Sequence, residues 1–341
     1  MLKKLVRYMI IILIVFLVLA ITFMALSPKN MYFKTSTSVD APPHLVYNMV
    51  NNLEKWELWS PVNELDPEVT HSFSDNPVGP GAKWTWKGND KVGEGTREIV
   101  ASSEGESVRT RIEFNGWDKE SFGQWTFVPD GKKTQVSWAF EGGDTAFPFR
   151  PFNVLMKRGY RKTYEKGLKT LKDLVEKRAN EKIYNGFKIE ELVATEKHYL
   201  MNRQEVKLEN IQQFYAQNLG SLFMKAQKAK LDVDGMPSGL FWNMDDNAST
   251  IDMAAGIPLK EESNIAGAQM LTIPERAIRQ INYYGDYSGI AKAHQAMKDY
   301  LKDYNLFVDY PVIEEYVTDP GQEKDPSKWQ TKISYYISEN Q

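Results

Sequence analysis

Two stretches of the chain, GMPSGLFWNMDD at 235–246 and YPVIEEYVTDP at 310–320, share one pattern and decide the fold of the C-terminal half. Each contains a proline, four residues, an aromatic residue, two residues and an aspartate; in the first copy these are Pro237, Trp242 and Asp245. Each follows an amphipathic helical stretch and precedes a second strand-like run. A repeated helix–strand–strand unit that cannot bury its apolar face alone is expected to pair with its copy, which leaves a groove at the join.

The second copy, with Pro311, Tyr316 and Asp319 at the matching places, differs from the first at one position. Where the first strand carries Leu240, the second carries Glu314. A carboxylate directed into an otherwise aromatic groove is a candidate functional group, because burying it without a partner is costly.

The alternation of side chains along a strand predicts which residues face this groove. Glu314 and Tyr316 share one face, while Ile313 and Val317 share the other. If the apolar pair packs on the helices, Glu314 and Tyr316 point into the groove. A register shift of one residue would exchange the faces and make Glu315 the inward carboxylate.

The same groove is expected to receive aromatic side chains from neighbouring strands. The repeat contributes Leu240 and Trp242 on the corresponding face, and Tyr283 or Tyr284 reaches it from the next strand. The candidate ligand-binding residues here are therefore Glu314, Tyr316, Trp242, Tyr283 and Tyr284. An organic cation would supply the charge that the carboxylate lacks, and the rings would add about 0.5–2 kcal/mol through cation–π contact. Alternatively, desolvation raises the pKa of such a carboxyl, which suits Glu314 to act as a general base in hydrolysis. The third alternative is a structural role, in which Glu314 only hydrogen-bonds tyrosine hydroxyls or lies exposed at a sheet edge.

This half of the chain resembles the GyrI-like small-molecule-binding domain, over roughly residues 186–337. The resemblance rests on GMPSGLFWNMDD followed by IDMAAGIPL, on INYYGDY before a helix, and on VIEEYVTDP followed by KISYYI. It implies two strand–helix–strand–strand modules in one sheet and a pocket for apolar, often cationic, compounds beside a glutamate, whose place Glu314 takes. Members of the family often carry a histidine in the stretch matching INYYGDY, and Tyr283 stands near that place.

The N-terminus predicts a membrane anchor. The run from Tyr8 to Leu26 is almost wholly apolar and long enough to cross ~30 Å of hydrocarbon as a helix. Lys3, Lys4 and Arg7 precede it, so the positive-inside bias predicts a single-pass inner-membrane protein with a cytoplasmic N-terminus and the later domains on the outer side. A cleaved signal peptide is the rival interpretation, although its apolar core would be only about 7–15 residues long.

Composition excludes several classes of function. The chain of 341 residues has no cysteine, which rules out disulfides, thiol catalysis and zinc–thiolate sites. A net charge of -3 gives no basic field for nucleic acid. The four histidines show no metal-binding spacing, and no Walker loop, G-x-S-x-G elbow or G-x-G-x-x-G motif occurs. We therefore expect no metal, no cofactor and no nucleic-acid partner.

The segment after the anchor predicts an antiparallel sheet closed by a long helix. Aromatic residues recur with period two in three strands, as in Trp84 with Trp86 and Trp125 with Phe127. A sheet this aromatic must cover one face, and an amphipathic helix over 152–177 is the expected lid.

This first soluble segment resembles the START-like, polyketide-cyclase-like family. The matching residues are Val39, Ala41, Pro42, Val46, Trp56, Trp59, Ser60, Pro61, the GEGT at 93–96, Thr134, Val136 and Trp138. The resemblance implies a curved sheet gripping a C-terminal helix around a hydrophobic cavity. Trp84 and Trp138 are the candidate ligand-lining residues, with a plain packed core as the alternative.

The sequence thus predicts an α+β protein: an N-terminal transmembrane helix, a helix-grip antiparallel sheet domain, and a duplicated strand–helix–strand–strand domain. The expected boundaries are 1–28 for the cytoplasmic N-terminus and anchor, 30–178 for the START-like domain, 179–186 for a linker and 187–341 for the GyrI-like domain. The expected function is binding or sequestering amphipathic small molecules, with cationic compounds as one class among them. The alternatives are hydrolysis in the GyrI-like groove and carriage of a lipid or other hydrophobic ligand in the START-like cavity.

Overall fold

The computed structural model describes residues 2–117, 119–244 and 248–338. The chain divides into two compact units, Met1–Asn180 and Glu181–Gln341. Asp245 of the first repeat copy lies outside the described residues. The α+β class and the order of N-terminal apolar helix, curled sheet and second sheet domain are confirmed.

The first unit consists of a long apolar helix followed by a seven-stranded sheet and its covering helices. The helices are α1 (Leu2–Leu26), α2 (Pro43–Val50), α3 (Pro61–Leu65) and α4 (Arg150–Glu181). The strands are β1 (Tyr32–Val39), β2 (Thr70–Phe73), β3 (Lys83–Lys87), β4 (Glu94–Ser103), β5 (Ser107–Phe114), β6 (Ser121–Asp130) and β7 (Lys133–Glu141). All neighbours pair antiparallel in the order β1-β7-β6-β5-β4-β3-β2.

Helix α1 is long and apolar enough to cross a membrane, and nearly all of its side chains from Lys4 to Leu26 are exposed. Its stretch from Lys4 to Leu26 meets this criterion by length and composition. Thr22, a polar residue within the run, donates its hydroxyl to the backbone oxygen of Val18, which satisfies it inside the helix.

The period-two aromatics form the interior of the sheet. In β7, Val136, Trp138 and Phe140 are all buried on the inward face. Helix α4 covers this face: the ring of Tyr164 lies 3.8 Å from that of Trp138. Gly167 makes the close approach possible, because a Cβ there would lie within 3.2 Å of the Trp138 ring. The expected lid helix is therefore confirmed, somewhat longer than predicted.

The second unit contains an eight-stranded antiparallel sheet and a separate two-stranded hairpin. Its strands are β8 (Ile183–Tyr184), β9 (Phe187–Lys188), β10 (Glu190–Ala194), β11 (Lys197–Lys207), β12 (Ser238–Phe241), β13 (Thr250–Leu259), β14 (Gln269–Ile273), β15 (Arg276–Tyr284), β16 (Val308–Tyr316) and β17 (Gln330–Ile337). Its helices are α5 (Ile211–Lys228) and α6 (Ile290–Tyr304). The large sheet has the order β10-β15-β17-β16-β12-β13-β11-β14.

The duplication is visible in this sheet. One module is β11–α5–β12–β13 and the other is β15–α6–β16–β17, and the two are joined by the antiparallel pair β12–β16. Both helices pack on one face, where α6 contributes Met297 and Tyr300 to the main core and α5 contributes Phe214 and Leu222. The predicted strand–helix–strand–strand repeat is confirmed.

The faces of β16 are the reverse of those expected. Ile313 packs in a second apolar cluster with Leu240, separate from the core that holds the helices. Glu314 instead lies on the helix side, because it contacts His294 of α6. Leu240 pairs with Ile313 across the strands, whereas Gly239 pairs with Glu314. Directly opposed residues share a face, so Leu240 lies on the opposite face of the sheet from Glu314. The expected faces were wrong because the two repeat copies were matched with an offset of one residue.

Candidate functional site

Glu314 lies at the join of the two modules and is 7% exposed. Its Oε1 is 2.8 Å from Nε2 of His294, and its Oε2 accepts a hydrogen bond of 3.0 Å from the hydroxyl of Tyr316. The Tyr215 hydroxyl is 3.0 Å from that of Tyr316. Since Tyr316 gives its single proton to the carboxylate, Tyr215 donates to the Tyr316 oxygen.

Gly239 provides the space for this arrangement. A Cβ at this position would overlap the Tyr215 hydroxyl and would lie 2.8 Å from the Tyr316 hydroxyl. The residue opposite Glu314 therefore needs to be a glycine if both tyrosines are to converge on the carboxylate.

His294 extends the network away from the sheet. Its Nδ1 is 2.8 Å from the hydroxyl of Tyr335, and the imidazole is 6% exposed. A carboxylate oxygen accepts, so Nε2 carries a proton toward Glu314; in the neutral imidazole, Nδ1 then accepts from Tyr335. Five side chains thus form one hydrogen-bonded chain: Tyr335, His294, Glu314, Tyr316 and Tyr215.

A partly exposed aromatic rim leads to the carboxylate. The ring of Tyr287 lies 5.6 Å from that of Tyr316 and 5.6 Å from that of Trp329, and Tyr287 is 39% exposed. Burial raises the pKa of Tyr287, and the charge of Glu314 raises it further. Burial and then Glu314 likewise raise the pKa values of Tyr215 and Tyr316 well above the ordinary value. These hydroxyls therefore remain protonated donors facing the acid.

The structure brings together only part of the residue set expected for the groove. Glu315 is half-buried on the opposite face of β16 from Glu314. Trp242 packs with the second apolar cluster, and the guanidinium carbon of Arg203 lies 3.8 Å from the centre of its ring. Trp242 is therefore not part of the site around Glu314. Its place beside the acid is taken by Tyr215, which sequence reasoning did not single out.

The two tyrosines of β15 have different surroundings. Tyr283 is buried in the helix-side core and donates its hydroxyl to the backbone oxygen of Asp286. It pairs with Thr331, which pairs in turn with Tyr316, so it lies two strands away from the acid-bearing strand. Tyr284 is 59% exposed and has its side chain on the other face.

The first unit holds a second candidate site in its aromatic interior. Trp84 is 1% exposed and donates from its indole nitrogen to Nδ1 of His71 at 3.0 Å. Trp138 is 2% exposed and stacks on Trp125 with ring centres 4.3 Å apart. Ring-on-ring packing thus accounts for much of the space enclosed by the sheet and α4.

A buried cation lies among these rings. Arg97 on β4 is 8% exposed, and its guanidinium carbon is 4.2 Å from the ring centre of Trp56 and 5.7 Å from that of Trp84. Burial lowers the pKa of Arg97 to about 10, partly opposed by the nearby Tyr164 hydroxyl. In the described part of the chain no carboxylate is within ion-pair distance of Arg97.

Several polar atoms in the buried interior of the first unit, Arg97 Nε among them, are unpaired. Arg97 Nε, Trp125 Nε1, Trp138 Nε1 and Thr110 Oγ1 are buried with no hydrogen-bond partner among the described residues. Thr110 Oγ1 and Trp138 Nε1 converge on Gly123, where a Cβ would lie 2.6 Å and 3.7 Å from them. Buried polar atoms are usually paired, so this concentration of free donors indicates a place for an acceptor.

No group of three metal-binding side chains occurs within the described ranges. The site residues that sequence reasoning missed each carry a recognisable signal. His294 lies three residues before Met297 and seven before Leu301, which places it on the buried stripe of α6. Arg97 alternates with Gly95 and Ile99, which puts it on the inward face of β4.

Solved structures similar to parts of this chain include the EcmrR C-terminal domain, a norcoclaurine synthase and a protein from Chromobacterium violaceum. The EcmrR C-terminal domain is 13% identical, covers 45% of this chain and 98% of its own, and has a TM-score of 0.40. A Thalictrum norcoclaurine synthase point mutant is 11% identical, with coverages of 44% and 96% and a TM-score of 0.36. Protein CV1439 from Chromobacterium violaceum is 18% identical, with coverages of 42% and 96% and a TM-score of 0.34.

Comparison with curated proteins finds no match. A family model does match the first soluble unit, in agreement with the resemblance of that segment. Residues 32–176 match the family described as polyketide cyclase/dehydrase and lipid transport.

Proposed function

We propose that this protein is a membrane-anchored small-molecule-binding protein whose second unit binds apolar organic cations at Glu314. The observation that supports this most is a buried carboxylate at the base of a half-exposed aromatic rim. Its hydrogen bonds come from His294 and Tyr316, and no lysine or arginine in the described residues is within ion-pair distance of it. Its hydrogen bonds are satisfied, but a fixed positive charge is lacking.

A flat aromatic cation has the complementary chemistry. The rings of Tyr287, Tyr316 and Trp329 offer faces or edges to its apolar body, worth about 0.5–2 kcal/mol where a ring face meets the charge. The carboxylate supplies the countercharge in a partly desolvated place, where the attraction is stronger than in water.

The test compares two isosteric ligands, 1-methylquinolinium and its neutral analogue 1-methylnaphthalene, on the full chain in lipid nanodiscs. Glu314→Gln keeps the shape and removes the charge, so affinity for the cation should fall at least about fivefold, or about 1 kcal/mol. Affinity for the neutral analogue should change little. Glu315→Gln is the matched control, since it removes a carboxylate from the other face. Equal losses for both ligands, or a loss only in the Glu315 variant, would contradict the proposal.

Hydrolysis is a second candidate, because the His294 imidazole is hydrogen-bonded to Glu314 and backed by Tyr335. A water held by Glu314 would lose a proton to the carboxylate as it attacks an electrophilic carbon, while His294 would position that carboxylate. For an enzyme of this kind, an activated ester such as p-nitrophenyl acetate should be turned over. Glu314→Gln and His294→Gln should then lower kcat strongly and leave KM nearly unchanged. Equal rates in the wild type and both variants would exclude this candidate.

Carriage of a hydrophobic ligand by the first unit is supported by the family-model match and by Arg97. An uncompensated buried guanidinium with free donors nearby favours an acid among hydrophobic ligands. The natural pair of probes is cis-parinaric acid and its methyl ester. The acid should bind more tightly than the ester, and Arg97→Met should remove that preference. No difference between acid and ester in the wild type would refute the role of Arg97.

The proposed location is the inner membrane, with α1 spanning it once and both units on the outer side. The length and composition of α1 support the span, and the basic residues before it support the orientation. Alkaline phosphatase fused after Ser27 should be active in the envelope, and the mature protein should keep Met1 to Leu26. An inactive phosphatase fusion, together with activity of a cytoplasmic reporter fused at the same position, would overturn the orientation.

A further inference from the structure

The start of helix α4 exposes an apolar surface that the fold of the first unit does not cover. Five large side chains form it, which we call the interfacial patch: Phe147, Phe149, Phe152, Leu155 and Met156. They are 44%, 57%, 57%, 68% and 49% exposed, respectively. Five such residues within ten positions make a contiguous apolar area, and an area of this kind on a protein surface indicates a binding partner.

The patch has a defined shape on α4. Phe152, Leu155 and Met156 follow the three- and four-residue spacing of a single helix face. The side of α4 that packs on the sheet carries Tyr164 and Leu168 instead. The patch is therefore separate from the core and forms its own surface.

The patch is fixed close to the end of α1. Asn153, buried between the patch residues, donates from its Nδ2 to the backbone oxygens of Pro28 at 3.0 Å and Lys29 at 3.2 Å. The Thr145 amide also donates to Lys29 O, at 2.7 Å. The segment Phe147–Phe149 contacts α1 directly. Since α1 ends at Leu26 and each residue spans about 3.5 Å, the patch is held within a few residues of the helix exit.

The charges around the patch have one sign. By helical spacing, Arg158 and Lys162 flank the face that carries Phe152 and Leu155, and Arg150 lies over the ring of Phe147. Helix α4 has no acidic residue before Glu165. Apolar side chains rimmed by basic ones are typical of a helix that lies in the lipid headgroup region. Basic residues at that depth are attracted to anionic lipids.

We propose that the interfacial patch inserts into the headgroup region of the bilayer that α1 crosses, so that the first unit rests on the lipid surface. The inference depends on α1 spanning the membrane, as in the proposed function. A bilayer is the occupant that the structure favours, because α1 brings its surface to the place where the patch begins.

The chain has no cysteine, so a single introduced cysteine is a unique labelling site. Nitroxide labels would be placed on full-length Phe152→Cys and Leu155→Cys, each of which keeps the other four patch residues. Phe16→Cys reports on the middle of α1. Val128→Cys is the matched control, because Val128 is 55% exposed on β6. It lies beside the β6–β7 turn, at the end of the sheet opposite Tyr32 and about 25 Å from Tyr32.

In vesicles of phosphatidylcholine and phosphatidylglycerol, collisions with oxygen and with a water-soluble nickel chelate report the depth of each label. Labels at 152 and 155 should show the oxygen-rich, nickel-poor environment of the interface, several-fold different from the label at 128. An aqueous label at 16 would disprove the anchor itself. A lipid-buried label at 16 with aqueous labels at 152 and 155 would overturn the patch proposal alone. Protection of 152 and 155 from both reagents would also overturn it, since a protein surface would then cover the patch.

A second experiment tests the charge of the rim. Arg158→Glu combined with Lys162→Glu should move the label at 155 toward water in phosphatidylglycerol vesicles and much less in vesicles of phosphatidylcholine alone. An equal change in both lipids would mean that the basic residues do not contact anionic headgroups.

Discussion

Glu314 in the second unit and Arg97 in the first are both buried charges among aromatic rings, but their surroundings differ. Glu314 accepts hydrogen bonds from His294 and Tyr316, and its partners continue to further tyrosines. Arg97 is held over the Trp56 ring with its Nε unpaired. The difference teaches that burial alone does not identify a ligand site. The hydrogen bonds of Glu314 make it part of the fold as well as a countercharge, whereas Arg97 hydrogen-bonds the Tyr164 hydroxyl and has no carboxylate within ion-pair distance in the described residues.

The largest effect that would test this comparison is expected from Glu314→Leu. The change leaves His294 and Tyr316 buried without their acceptor, so the second unit should lose about 2–4 kcal/mol of unfolding free energy. Hydrogen exchange of peptides from α6 in the full chain would measure this loss. Glu314→Gln, which can still accept from Tyr316, should lose much less. If both variants are as stable as the wild type, the network is not part of the fold.

Arg97→Met should change the unfolding free energy in the opposite direction from Glu314→Leu. Replacing an uncompensated buried charge by an apolar side chain of similar length removes a desolvation cost, so the first unit should be equally stable or gain about 1–2 kcal/mol. Hydrogen exchange in β3 and β4 would report the change. Arg111→Met is the control for a half-buried arginine that is ion-paired, with Glu98, Glu113 and Glu120. A loss of more than about 2 kcal/mol would show that stacking on the tryptophans holds the fold, and the comparison would fail.

Gly239→Ala tests the geometry of the Glu314 side. Its Cβ would overlap the Tyr215 hydroxyl, so the tyrosines must move apart, at a cost of about 1–3 kcal/mol in stability and a weaker affinity for 1-methylquinolinium. Gly220→Ala, in the middle of α5 with no atom near the added carbon, is the control and should stabilise by up to about 1 kcal/mol. Thermal unfolding and ligand titration of the same preparations would separate the two outcomes. Equal behaviour of both alanine variants would mean that the tyrosines do not need the glycine.

The smallest effect is expected on the other face of the same sheet. Asp252 accepts two hydrogen bonds from Arg203, which lies over Trp242, and these hydrogen bonds lower the pKa of Asp252. Asp252→Asn should cost under about 1 kcal/mol because the pair is partly exposed. A carboxyl with a lowered folded-state pKa stabilises above its ordinary pKa, and this contribution disappears as the pH falls through the folded-state value. The difference in Tm between wild type and variant should therefore be present at pH 6, begin to shrink below about pH 4 and vanish only below the lowered folded-state pKa. A change in affinity for 1-methylquinolinium would instead show that this face of the sheet is part of the ligand site.

Much of the architecture follows from local patterns. The apolar run before Ser27 predicts a helix of membrane length, and the alternation in KTQVSWAFE predicts the inward face of β7. The repeated Pro and aromatic spacing predicts two modules in one sheet. Each of these signals is contained in a short window and is set by hydrophobic burial, so the sequence alone carries it.

The site depends on pairings that no short window contains. Aligning the repeats by residue type matches Leu240 to Glu314, while the strands pair Gly239 with Glu314 and Leu240 with Ile313. A shift of one residue exchanges the faces of a strand, so only the tertiary register decides that Glu314 faces His294 rather than Trp242. The approach of Arg97 to Trp56 is likewise fixed by the packed sheet. The sequence by itself thus determined the elements and their buried stripes, and the tertiary structure decided which side chains meet, because strand register and helix docking depend on contacts between residues far apart in the chain.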